Sequence, residues 1–295
     1  MPEIKRILCP IDFSEFSVCA YLHALSLERH YRAKLFAQQV VELSRYPSAS
    51  FATTAGLYRE FCERLLENAE EELQEFLKNH PNNDTQPERI VQLGMAPDCI
   101  LALAEARNID LIVMGTHGRR GFDRFMIGSV TERVMRRASC PVLAVRKPPH
   151  EPIALDPRRD TVHLRRILLC TDFSENSQRA LDYAISLATE YKAELALLHV
   201  LEDIPVSANI EAAIAKAAHQ LDRLIPLEGR ETGRIKTLVR IGKPYQQIIQ
   251  LALELQIDVV VMGVRGRGAL DLAVFGSTAH RVLQLGPCPV VVIRV

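Results

Sequence analysis

Residues Ile4 to Ile11 form a short run rich in β-branched and aliphatic side chains that stops at Asp12, and SEFSVCAYLHALSLERHYRA after it carries apolar positions at helical spacing. Ser14 and Ser17 supply capping hydroxyls at that junction. Lys34 to Val41 predicts a second strand, and the Ser-rich and Thr-rich stretch from Glu42 to Gly56 a loop. Leu57 to about Asn79 is acidic and amphipathic, the pattern of a long surface helix, and HPNNDTQP breaks it. Further on, Arg89–Leu93, Asp110–Met114 and Pro141–Val145 predict strands, and Ala96–Arg107 and Ser129–Arg137 predict helices. Strands alternating with helices imply parallel βαβ units with right-handed crossovers.

The same order returns through Arg165, Glu194, Lys236, Asp258 and Pro289. KRILCPIDFSEFS (5 to 17) is answered by RRILLCTDFSENS (165 to 177), AKLFAQQVVE by AELALLHVLE, and SCPVLAVR by PCPVVVIR. The early landmarks lie 160 residues apart and the later ones 148, so the first copy carries twelve extra residues between Glu42 and Asp110. Units of this size are domains rather than solenoid repeats, whose period is about 20 to 50 residues. The expected division is a first domain at 1–147, a Pro-rich charged linker at 148–163 and a second domain at 164–295.

Thirty-six basic residues balance thirty-six acidic ones, which gives no support to nucleic acid or a membrane surface as partner. No apolar run reaches the roughly 18 residues of a membrane span, and the N-terminus lacks a signal-peptide layout. Seven cysteines without framework spacing read as reduced, mostly structural thiols of a cytoplasmic protein.

GTHGRRGFDRFMIGS (115 to 129) and GVRGRGALDLAVFGS (263 to 277) share a glycine, two residues, a glycine, nine residues and Gly-Ser. Each follows an aliphatic strand and opens a helix. Ligands of open α/β sheets bind at the carboxyl ends of strands, and the N–H groups of a helix start face an anion. Glycine there permits positive φ and close approach of a ligand to the main chain. Phosphate is the expected guest, with Ser129, Thr131 and Ser277 as added hydroxyl donors. Neither loop is a Walker A or a G-x-G-x-x-G sequence.

On these residues the whole chain resembles a tandem universal stress protein of the ATP-binding branch. The resemblance implies two tandem α/β domains, each a doubly wound parallel five-stranded sheet of order 3-2-1-4-5 flanked by helices, adenine nucleotide alpha hydrolase-like. It implies ATP, with Mg2+ as its companion ion, lying across the carboxyl ends of the strands. Matched by position, Asp12 and Asp172 stand beside ribose and adenine, with Pro10 and Ile11, or Cys170 and Thr171, on the same edge. Val40 and Val200 match the adenine-side backbone contact. Gly115, Gly118, Gly128, Ser129, Val130 and Thr131 match the phosphate and ribose loop, and Gly263, Gly266, Gly276, Ser277 and Thr278 do so in the second copy. The resemblance further implies pairing of the domains through PVLAVR and PVVVIR as a pseudo-dimer; a homodimer of chains is compatible with this but not readable from the sequence, which is also silent on any protein partner.

The second copy departs from the first: Ala279 replaces Thr131, Arg265 replaces His117 and Gly268 replaces Arg120. Losing one donor costs roughly 0.5 to 1.5 kcal/mol, so the first site is expected to be the tighter. Asp12 and Asp172 have a second reading, as caps for the helices beginning at Ser14 and Ser174. His117 lies in the loop, and nine histidines without paired spacing do not suggest a metal site. Three functions stay open: a nucleotide-binding regulatory module with at most slow hydrolysis, an ATPase or phosphotransferase, and an adaptor that has lost its ligand. The loops carry arginines and hydroxyls but no lysine, which favours binding over turnover.

Overall fold

The structure, a computed structural model, describes residues 4–46, 55–80, 86–118, 127–146, 164–202, 209–226, 233–264 and 276–294. The chain divides into two compact units, Glu3–Val162 and His163–Val295. The expected linker, 148–163, lies outside the described residues.

The first unit runs β1 (Arg6–Pro10), α1 (Glu15–Tyr31), β2 (Lys34–Val41), a 3-10 turn (Leu43–Arg45), α2 (Ala55–Asn79) and β3 (Glu88–Leu93). It continues with α3 (Ala96–Ala106), β4 (Leu111–Gly115), α4 (Ser129–Arg137) and β5 (Val142–Val145). Strand order is β3-β2-β1-β4-β5, all neighbours parallel. Helices cover a parallel sheet on both faces, so its central strands are apolar throughout: Ile7, Leu8, Cys9, Ile112 and Val113 are fully buried. Each such aliphatic side chain contributes about 1.5 to 3 kcal/mol by leaving water. Helix α1 starts where Ser14 Oγ accepts from Ser17 N at 3.2 Å, as the serine pair predicts. Helix α2 buries Leu65, Ala69, Leu73 and Phe76, one stripe at helical spacing, and Val41, Val91 and Leu93 pack against its Leu65 and Ala69. The Asp110 carboxylate accepts from Lys5 N and Arg6 N at 2.9 and 2.8 Å, tying the start of β4 to the start of β1.

The second unit comprises β6 (Arg166–Cys170), α5 (Glu175–Tyr191), β7 (Glu194–Leu201), α6 (Ile210–Leu224), β8 (Ile235–Ile241), α7 (Pro244–Glu254), β9 (Val259–Gly263), α8 (Ser277–Leu285) and β10 (Val290–Ile293). Its order, β8-β7-β6-β9-β10, is that of the first, again parallel. The duplication reaches single hydrogen bonds. Ser174 Oγ caps α5 through Ser177 N, and Asp258 binds Arg165 N and Arg166 N at 2.7 and 2.8 Å.

Most elements lie within two residues of the sequence expectation. The difference that bears on function is at the strand ends: Gly115 and Gly263 are the last residues of β4 and β9, not the first of a loop. No described helix is long and apolar enough to cross a membrane.

Candidate functional site

Three segments converge at the carboxyl ends of β1 and β4 in the first unit. After β1 the chain turns through Phe13, whose φ of 62° is a left-handed conformation costly for a non-glycine residue. Asp12 holds that turn, its Oδ1 accepting from Ser14 N at 3.0 Å and Ser14 Oγ at 2.6 Å. Ser14, not Asp12, is therefore the helix cap. The other carboxylate oxygen lies 2.6 Å from the place where a Cβ on Gly118 would stand. Asp12 and the glycine loop thus touch, 106 positions apart in sequence.

Gly115, Gly118 and Gly263 serve close approach rather than positive φ. Among the described residues the glycines with positive φ are Gly94, Gly233 and Gly242, none of them in either loop. A Cβ on Gly115 would stand 2.8 Å from Phe16 Cβ and 2.9 Å from its carbonyl, so glycine here lets the first turn of α1 lie on the strand end. Gly263 meets Asn176 in the same way, at 2.9 Å. At the far end of the loop, Gly128 N donates to Thr116 O at 2.8 Å and Gly128 is the N-cap of α4, with no side-chain cap. The first intrahelical bond runs from Glu132 N to Gly128 O, so Ser129, Val130 and Thr131 direct their N–H groups out of the helix start. Ser129 is exposed there.

Thr131 is placed differently from the expectation of a phosphate donor. It is buried, and its hydroxyl donates to Gly115 O at 2.7 Å. His117 is buried too, its Nδ1 3.0 Å from Thr116 Oγ1 and its ring 4.8 Å from that of Phe16. Pro10 and Val40 are half-buried at the strand ends and Ile11 is buried, its N–H donating to Gln38 O at 2.7 Å. Residues 119–126, with the Arg-rich part of the loop, lie outside the described residues.

The second unit repeats the frame. Phe173 has φ 61°, Asp172 Oδ1 accepts from Ser174 N at 3.1 Å, and Gly276 N donates to Val264 O at 3.0 Å. Ser277 is exposed and Thr278 half-buried at the start of α8, while Cys170 and Val200 are half-buried at their strand ends. Thr171 spends its hydroxyl locally, donating to Ser177 Oγ at 2.9 Å and accepting from Phe173 N at 3.0 Å. Gly266, Arg265 and Gly268 lie outside the described residues.

The universal stress protein family model matches residues 3–146 and again 163–294. The chain belongs to the universal stress protein family. Universal stress protein MJ0531 of Methanocaldococcus jannaschii is 34% identical over 147 residues, which is 50% of this chain and 85% of that protein. A solved universal stress protein from Archaeoglobus fulgidus covers 98% of both chains with a TM-score of 0.72 at 24% identity, a likeness of fold. A universal stress protein solved in complex with cAMP aligns with 44% of this chain and 97% of its own, at 18% identity and a TM-score of 0.36. That ligand is a property of that protein.

Sequence reasoning missed Phe13 and Phe173. The repeated Asp-Phe-Ser marked the place, but an aromatic residue at positive φ carries no sequence signal of its own. It missed His199 as well, whose Nδ1–H donates to Thr171 O at 2.8 Å while its ring lies 4.4 Å from that of Phe173. Four of the seven thiols read as structural. Burial pushes Cys9 and Cys170 up, Cys140 up to about 11 and Cys288 up to about 12, so all four stay protonated and unreactive near neutrality.

Proposed function

We propose that this universal stress protein binds ATP across the carboxyl ends of the strands in each domain and acts as a nucleotide-dependent regulatory module of the stress response, hydrolysing ATP slowly if at all. The observation that carries the reading is the convergence of the Asp12 carboxylate, Gly118 and the glycine-capped start of α4. A carboxylate accepts from ribose hydroxyls. The N–H groups of Ser129, Val130 and Thr131, at the positive end of a helix dipole, suit phosphate oxygens. Pro10, Ile11 and Val40 would border the base, and Mg2+ would arrive with the phosphates. Asp172, Cys170, Thr171, Val200, Gly263, Gly266, Gly276, Ser277 and Thr278 take these roles in the second domain. A cytoplasmic location agrees with seven free thiols. Pairing of the domains through PVLAVR and PVVVIR belongs to the same proposal and is supported by the apolar, β-branched character of those segments, which would be aggregation-prone as bare sheet edges.

The test is to purify the protein without added nucleotide, denature it, and identify what is released by chromatography and mass spectrometry, then to titrate the stripped protein with ATP and Mg2+. Gly128→Ala is the informative variant. Its Cβ would meet Thr116 O at 3.4 Å and His117 Cα at 3.5 Å, near-ordinary contacts that the fold tolerates, while narrowing the approach to the helix start. The expected result is unchanged circular dichroism with at least tenfold weaker ATP binding in the first domain, about 1.4 kcal/mol. A wild-type protein that neither releases nor binds adenine nucleotide would leave the adaptor reading in its place.

A further inference from the structure

We infer that Thr131 is a positioning residue that closes the first domain's glycine loop through its hydroxyl, and that Ala279 leaves the second domain's loop without this closure. The inference rests on the ATP-binding reading for its consequence and on hydrogen bonding alone for its geometry.

A threonine hydroxyl has one proton to give. In Thr131 that proton goes to Gly115 O at 2.7 Å, and the residue is only 3% exposed. The oxygen keeps lone pairs, but lone pairs do not attract a phosphate. Donating to an anion would strip a buried carbonyl of this donor, so the hydroxyl serves better where it stands. The bond joins the third residue of α4 to the last residue of β4, spanning sixteen positions. Together with Gly128 N donating to Thr116 O, it holds both ends of the loop against each other. The N–H groups at the helix start are thereby fixed over the strand end before any ligand arrives. Preorganisation of this kind raises affinity because less ordering remains to be done on binding.

The second domain retains only part of this. Gly276 N still donates to Val264 O at 3.0 Å, and Ala279, 2% exposed, occupies the place of Thr131 with a methyl group. The methyl fills the space and offers no proton, so Gly263 O is not held from that side.

Peptide-resolved amide exchange on the whole protein tests this, because it reads each domain separately and with or without ligand. In the nucleotide-free protein, Thr131→Val is expected to speed exchange in peptides covering Gly115–Gly118 and Gly128–Glu132 by at least fivefold. The ATP concentration giving half-maximal protection of those peptides is expected to rise about tenfold. Thr131→Ser, which restores the hydroxyl, should return both values to those of the wild type. Ala279→Thr should slow exchange at the ends of the second loop and lower the ATP it requires, and it keeps the question open to test should the valine variant fold poorly. Weaker ATP protection in Thr131→Val with unaltered exchange in the nucleotide-free protein would overturn the inference and make the hydroxyl a direct ligand. Failure of the serine variant to rescue would also overturn it. If the wild type shows no protection by ATP while the nucleotide-free exchange changes as described, the closure stands and the ATP-binding reading fails.

Discussion

His23 lies on α1 with its Nδ1–H donating to Cys19 O at 2.9 Å. Burial lowers its pKa from the ordinary 6.5, and the backbone hydrogen bond offsets this only in part. The folded chain thus resists protonating His23 more than the unfolded chain does. Below about pH 6.5 the unfolded state binds the extra proton, so the stability this residue contributes is complete above that pH and is lost as pH falls through and below it. Thermal melts between pH 5 and 7.5 should show a decline on the acid side that is shallower in His23→Gln, which retains a donor; identical profiles would remove His23 as the cause. The glycine loops show how far single residues can be read from sequence. Their spacing was legible and pointed to the candidate site, but the reason for Gly115 was not legible, since it depends on Phe16 lying over the strand end. Thr131 was legible as a residue of the loop, and its hydrogen-bond partner was not, because a buried carbonyl sixteen positions away is a tertiary fact.

Helix ends carry the next prediction. Helices α1 and α5 both stop at a residue in the left-handed region, Arg32 and Lys192, each at φ 52°, and the following N–H bonds back to Glu28 O and Ala188 O at 3.0 and 2.9 Å. Glycine is the usual residue at such a stop because any Cβ is strained there by about 1 to 2 kcal/mol. Both side chains are exposed, so neither repays the strain through packing. Arg32→Gly and Lys192→Gly should each raise stability by about 0.5 to 1 kcal/mol in urea titration, after glycine's greater chain entropy is set against the relief. A loss of stability would show that the long side chains hold the cap by other means. These stops also explain why element ends were less legible than element types. The periodicity of α1 located its body, whereas a cap made of arginine or lysine matches no sequence rule and is enforced by the strand that must begin two residues later.

At the scale of the molecule, the chain is one design used twice and edited unevenly. Local devices survive in both copies: the serine caps, the aspartates that tie β1 to β4 and β6 to β9, the strained phenylalanines and the backbone bonds from Gly128 N to Thr116 O and from Gly276 N to Val264 O. Two of the edits bear on the candidate site: Thr131 becomes Ala279, and Ile11 becomes Thr171, whose hydroxyl is then absorbed internally. Duplication transmits architecture whether or not a ligand still uses it, so equal folds do not imply equal affinities. A ligand that binds only the folded state stabilises it by RT ln(1 + [L]/Kd), about 2.7 kcal/mol at a hundredfold excess over Kd. Two unequal sites should therefore give thermal stability that climbs in two stages as ATP is raised, the first at lower concentration and belonging to the domain that retains Thr131. Gly128→Ala should erase the early stage and spare the late one. Loss of the late stage instead would place the tighter site in the second domain, and a single stage lost entirely in Gly128→Ala would mean that only the first copy still binds.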